Sequence, residues 1–70
     1  MALTNRVRYF RFIRGEISQA ELAEEVDVSR QTIVAVEKGN YNPSVELALR
    51  LARALGATVE ELFVLEGGSS

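Results

Sequence analysis

Arg30, Gln31 and Val34 are the residues of this 70-residue chain whose types and spacing carry the most specific chemistry. At about 100° per residue they fall, with Lys38, within roughly a third of a helical wheel, and Ala35 lies on its margin. Ile33 and Val36 point the other way. An Arg fork can donate two parallel hydrogen bonds to O6 and N7 of guanine, Gln can pair with N6 and N7 of adenine, and Val can meet a thymine methyl. A helix face with this set, starting at the helix N-terminus, suits the major groove of duplex DNA. The competing reading is a solvated polar face, the usual fate of such side chains.

Other chemistries have less to work with. There is no Cys, His or Trp, so neither a disulfide framework nor a Cys/His zinc site can form. The usual general bases and nucleophiles are missing and no glycine-rich phosphate loop appears, so no enzyme and no cofactor are expected. Glu21, Glu24, Glu25 and Asp27 invite a calcium reading. Spacing within one helix does not wrap oxygens around an ion, however, and a solvated outer face with no metal is the stronger reading. The longest apolar runs, Ile33 to Val36 and Leu62 to Leu65, have four residues each against the roughly 20 of a membrane span. Arg6 and Arg8 interrupt any secretory apolar stretch after Met1. A soluble cytoplasmic chain is expected, with no membrane partner and no small-molecule ligand evident.

The formal net charge of −2 conceals segregation along the chain. Arg6, Arg8, Arg11 and Arg14 stand in the first fourteen residues without an acid; the next fourteen hold Glu16, Glu21, Glu24, Glu25 and Asp27 without a base. A mildly acidic total argues against a nonspecific DNA coat, but not against a few cations gathered on one face.

Helix start and stop signals supply the elements that would hold such a face. Thr4 can cap a first helix over about 5–14, closed by Gly15. Ser18 with Glu21 is a capping box with Ile17 in the staple position, opening a second helix over about 19–26. Ser29 can cap a third over 30–38, with Gly39 as its left-handed terminator. Asn40-Tyr41-Asn42-Pro43 reads as a loop. Ser44 opens a fourth helix over 45–55, stopped by Gly56, and Thr58 with Glu61 boxes a short fifth, from Val59 to about Val64 or Leu65. Leu3, Val7, Phe10 and Ile13 take helical spacing on the first helix; Ala20, Leu22, Ala23 and Val26 on the second; Ile33 and Val36 on the third. Leu47, Ala48, Leu51, Ala52 and Leu55 do so on the fourth, and Val59, Leu62 and Phe63 on the last. No sheet of consequence is expected, although a short edge strand would fit at 63–66. The fold class is therefore all-α, five helices around one core, over residues 1–66, with 67–70 a flexible tail.

Gln19 to Lys38, with Asp27-Val28-Ser29 between its halves, has the length of a helix-turn-helix. Here the chain resembles the lambda-repressor-like helix-turn-helix regulators, the Cro/C1 or Xre type. The matching residues are Ser18-Gln19-Ala20-Glu21-Leu22-Ala23, Val28-Ser29-Arg30-Gln31-Thr32-Ile33, Val36-Glu37-Lys38-Gly39, Asn42-Pro43-Ser44 and the run from Leu47 to Gly56. They cover about residues 4–65, as in the small stand-alone members of that family. Two departures stand out: Gly15-Glu16 makes the first turn one residue longer than its commonest form, and Ile13 occupies a position where many relatives carry a charge.

The resemblance implies a sequence-specific, double-stranded DNA-binding transcriptional regulator, and more often a repressor, reading a palindromic operator as a homodimer. Arg30, Gln31 and Val34 would read bases. Gln19, Ser29, Thr32, Lys38, Asn40, Tyr41 and Asn42 would meet the DNA backbone, Gln19 also bonding the neighbouring reader side chain, although Ser29 and Thr32 serve equally as caps and the asparagines as turn formers. Arg8 and Arg14 are further phosphate candidates, with a solvated helix-surface arginine an equal reading for each. Arg11 and Glu37 would form a structural ion pair, because a Glu beside phosphate must be neutralised. Phe63, Val64 and Leu65, in excess of what a small core needs, are the dimer candidates. The rival is a protein-interaction module of the same fold, such as an antitoxin or adaptor, which need not keep Gln19, Arg30 and Gln31 together.

Overall fold

The computed structural model describes residues 2–66. Seven elements follow in order: β1 (Ala2–Asn5), α1 (Val7–Ile13), α2 (Gln19–Glu25), α3 (Arg30–Lys38), α4 (Val45–Leu55), α5 (Val59–Leu62) and β2 (Phe63–Glu66). The expected tail at 67–70 lies outside the described residues.

Four of the helices begin where a hydroxyl waits for them. Ser18 accepts from the Glu21 amide and Glu21 returns the bond to the Ser18 amide, closing the capping box. Thr58 and Glu61 do the same for α5. Ser29 caps α3 and Ser44 caps α4. Each such cap stabilises its helix by about 0.5–2 kcal/mol, which matters in helices too short to persist alone. Gly39 (φ 80°) and Gly56 (φ 65°) end α3 and α4 in the left-handed conformation, which costs a β-carbon-free residue little.

The first helix differs from the expectation. Thr4 does not cap it. Residues 2–5 are extended, and β1 pairs antiparallel with β2 in the register Ala2↔Glu66, Leu3↔Leu65, Thr4↔Val64 and Asn5↔Phe63. The Thr4 hydroxyl donates to the Val64 carbonyl instead (3.3 Å). Helix α1 starts two residues late, and the Asn5 side-chain oxygen accepts from the Val7 amide (3.2 Å). Helix α5 correspondingly stops at Leu62, because Phe63 (φ −123°, ψ 124°) has entered the ribbon. The five helices are thus joined by a two-stranded ribbon that clasps the two ends of the described chain. Aromatic and β-branched Phe63 and Val64 suit the pleated surface they occupy.

The core is one cluster: Val7, Leu22, Ala23, Val26, Ile33, Val36, Leu47, Leu51, Ala52, Leu55 and Leu62. Phe10, Ile17, Val28 and Phe63 pack on its margin. Some residues read as core by spacing neither belong to it nor pack against it. Leu3 lies in β1, and Ala20 and Ile13 are exposed. The long turn after α1 absorbs its extra residue by placing two consecutive residues, Gly15 (φ 110°) and Glu16 (φ 58°), at positive φ. The amides of Glu16 and Ile17 then return to the carbonyls of Phe12 and Arg11.

Candidate nucleic-acid interface

Helix α3 is held from below by two side chains. Ile33 and Val36 are buried in the core, one turn apart, against α2. Ala23, nearly fully buried on α2, leaves room for the two helices to approach. The connection reverses at Asp27 (φ 61°), a conformation that Asp tolerates better than most residues, and the Val28 amide returns to the Ala23 carbonyl (3.0 Å). With its inner face occupied, α3 turns Arg30, Gln31 and Lys38 to solvent, and Val34 and Ala35 are half-exposed.

Above α3 lies a shallow recess of about 400 Å³, lined by Arg8, Arg11, Gln19, Val34, Glu37 and Lys38. Its one carboxylate is fully engaged. Arg11 grips Glu37 with two nitrogens, Nε to Oε2 at 2.8 Å and Nη2 to Oε1 at 3.2 Å, and donates Nη1 to the Ile17 carbonyl at 2.9 Å. Gln19 adds a third bond to the same carboxylate, Nε2 to Oε1 at 3.0 Å. The Glu37 side chain is only 7% exposed. A carboxylate so neutralised leaves Arg8 and Lys38 to set the field of the recess, and among the described residues neither has an ionic partner.

The other candidates divide by position. Ser29 and Thr32 are tied to each other: the Ser29 hydroxyl accepts from the Thr32 amide (3.3 Å) and lies 3.0 Å from the Thr32 hydroxyl. Thr32 and Tyr41 line a second recess, of about 410 Å³, with Val28, Ser44 and Arg50. Asn40 closes α3 through its amide, which reaches the Ala35 carbonyl (3.0 Å), and Asn42 is exposed in the loop that follows. Arg14 lies away from α3, in a recess with Glu25, Arg50 and Arg53. Phe63 and Val64 are half-buried on β2, and Leu65 is exposed.

Two contacts were beyond sequence reasoning. The resemblance pairs Gln19 with a phosphate and a neighbouring reader side chain, whereas its partner within the molecule is Glu37. Helix signals put Asn5 inside a helix, whereas its Nδ2 donates to the Val36 carbonyl at 2.7 Å and joins the start of α1 to the end of α3. An Asn just ahead of an apolar-periodic run was the available sign, because that is where a side-chain cap belongs.

Comparison with known proteins agrees with this geometry. A helix-turn-helix family model matches residues 11–62. A relative from Methanocaldococcus jannaschii, the uncharacterised HTH-type transcriptional regulator MJ0272, is 41% identical over 64 residues, covering 91% of this chain and 96% of the relative. Among solved structures, the restriction-modification controller protein C.AhdI from Aeromonas hydrophila superposes with a TM-score of 0.73 at 36% identity, covering 80% of this chain and 83% of that one. The P22 c2 repressor, solved with the synthetic operator 9T, gives a TM-score of 0.73 at 33% identity, covering 79% and 82% of the two chains.

Proposed function

The chain belongs to the helix-turn-helix family of DNA-binding transcriptional regulators of the Xre or Cro/C1 type; from that membership we propose that α3 enters the major groove of an operator and that the protein represses by occupying it. One observation carries this reading. Helix α3 is locked to the core by Ile33 and Val36, presents Arg30 and Gln31 to solvent, and has its own carboxylate, Glu37, neutralised by Arg11 and hydrogen-bonded by Gln19. Such a helix has its polar face free and its repulsive charge removed.

In this proposal Arg30, Gln31 and Val34 read base edges. Gln19 and Lys38 meet phosphates across the recess they share. Ser29, Thr32, Tyr41, Asn40 and Asn42 contact the flanking backbone. Arg8 is added to the phosphate set, because it lines the same recess as Gln19, Val34 and Lys38. A single copy offers few phosphate contacts. The protein therefore acts as a homodimer, with Phe63, Val64 and Leu65 at the two-fold axis, and it reads half-sites about 34 Å apart. A cytoplasmic location belongs to the same proposal, since its ligand is duplex DNA.

The test is selection of bound sites from random duplex DNA by the full chain. A palindrome with half-sites one helical turn apart is the expected product. Recovery of no enriched sequence, or of binding that ignores salt, refutes the proposal, because phosphate contacts make affinity fall steeply as salt rises.

A further inference from the structure

We propose that the outward face of α1 is a docking surface for an acidic amphipathic helix of a partner protein. Tyr9, Phe12 and Ile13 stand at i, i+3 and i+4, so they form one stripe along the helix. They are 55%, 63% and 55% exposed. The opposite face of the same helix is satisfied, with Val7 fully buried and Phe10 packed on the core. The stripe is therefore not a remnant of core packing. Tyr9 is also held in place, its ring meeting that of Phe10 edge-on at 5.2 Å and 85°. A pre-set aromatic loses little rotamer freedom on binding, which is why such rings serve as anchors in interfaces.

Charge selects the occupant. A recess of about 560 Å³ against this stripe is lined by Asn5, Arg6, Arg8, Tyr9, Phe12 and Glu37. Glu37 is already neutralised by Arg11, so Arg6 and Arg8 give the recess its sign. An acid, Glu16, lines an adjoining recess with Arg8, Arg11 and Phe12. A second copy of this chain meeting through the stripe would add its own Arg6 and Arg8 to the contact, an excess of positive charge that its Glu16 offsets only in part. Duplex DNA satisfies the arginines but offers no apolar surface for three neighbouring hydrophobic side chains. An apolar stripe bordered by Asp and Glu satisfies both, in the helix-against-helix mode read by i, i+3, i+4 anchors. Arg8 lines both this recess and the one above α3, so a bound acidic helix and a DNA phosphate draw on the same guanidinium.

The experiment omits DNA, so its failure is distinct from failure of the operator proposal. A fluorescein-labelled synthetic peptide of about 15 residues, with Leu at i, i+3, i+4 and i+7 and Glu at most other positions, is titrated with the full chain and followed by anisotropy. Controls are a scramble of the same composition and a version with Lys in place of Glu. Saturable binding of the acidic amphipathic peptide is expected, roughly tenfold tighter than either control. Phe12→Ser and Ile13→Ser, both at exposed positions, should each weaken it several-fold without lowering the thermal midpoint, while Arg30→Ala leaves it unchanged. These results overturn the proposal: no binding, equal binding of the scramble, indifference to both substitutions, or a change of molecular mass in Phe12→Ser, which assigns the stripe to a second copy. Phe12-dependent binding to phosphatidylglycerol vesicles in place of the peptide overturns it in favour of a lipid surface.

Discussion

The Arg11 guanidinium and the Glu37 carboxylate meet through two bonds, Nε to Oε2 at 2.8 Å and Nη2 to Oε1 at 3.2 Å, across 26 residues of sequence. This pair fastens α1 to α3, and Gln19 extends it to α2. The side chains are 16% and 7% exposed, so water screens the pair only partly. Removing Glu37 leaves Arg11 without its counter-charge and Gln19 without its acceptor. Breaking a fully buried pair in this way costs about 3–5 kcal/mol, and partial exposure places Glu37→Ala nearer about 2–3. A domain of this size loses roughly 4–8 °C of melting temperature per kcal/mol. The expected outcome is a drop of more than about 8 °C in a circular-dichroism melt, with base preference unchanged at the temperatures where the variant is folded. A melting temperature equal to that of the parent contradicts the structural role.

Arg30 makes no ion pair among the described residues and stands exposed in the first turn of α3. Its truncation should leave the fold alone and act on DNA. A bidentate contact to guanine is worth about 1–3 kcal/mol of discrimination. Arg30→Ala is therefore expected to weaken binding to the selected site by about that much and to relax preference at one base pair per half-site. The measurement is a set of affinities on the parent site and on its single-base variants at fixed salt. Uniform loss across all of them moves Arg30 to a phosphate.

The parts of this molecule that were legible in its sequence are those decided within one helical turn. Ser18 and Glu21, Ser29, Ser44, and Thr58 with Glu61 opened their helices where a hydroxyl can reach an amide three residues on. The strand at 63–66 was legible in its own residues, but its partner β1 was not, because Thr4 and Val64 are 60 residues apart. Nothing local distinguishes a Thr that caps from a Thr that pairs. Ile13 shows the same limit: its spacing fits a core position, yet α1 ends there and turns it to solvent. For the site, the outward placement of Arg30 and Gln31 followed from helical periodicity. The Gln19–Glu37 bond depends on how α2 and α3 cross, and helical spacing within either one carries no trace of that.

Leu65 tests the dimer. It is exposed on β2, with Leu3 opposite it in the ribbon, and substitution at such a position changes monomer stability by only about 0.5 kcal/mol. A Glu placed at a two-fold axis faces its own copy, and that repulsion is felt only in the dimer. Leu65→Glu should shift the mass in solution from dimer to monomer and weaken operator binding, while the melt of the isolated fold changes little. A parent that sediments as a monomer at the concentrations where it binds DNA removes the basis for this assignment.

Asn5 offers the sharpest stability test, because one side chain serves two helices with opposite chemistry. Its Oδ1 accepts from the Val7 amide at the start of α1, and its Nδ2 donates to the Val36 carbonyl near the end of α3. Asn5→Asp keeps the acceptor, and a charge at a helix N-terminus contributes about 0.3–1 kcal/mol. The same change removes the donor and sets a carboxylate oxygen against the Val36 carbonyl, where the nitrogen had approached to 2.7 Å. Asn5→Ala removes both groups, but the Val36 carbonyl still receives the Gly39 amide at 3.0 Å, so its loss should stay near about 1 kcal/mol. The repulsion outweighs the dipole gain, and Asn5→Asp is expected to be the less stable variant, by about 2–3 kcal/mol relative to the parent. Urea unfolding midpoints of the three proteins decide the order, and an Asp variant as stable as the parent would show that the bond to Val36 does not hold α1 against α3.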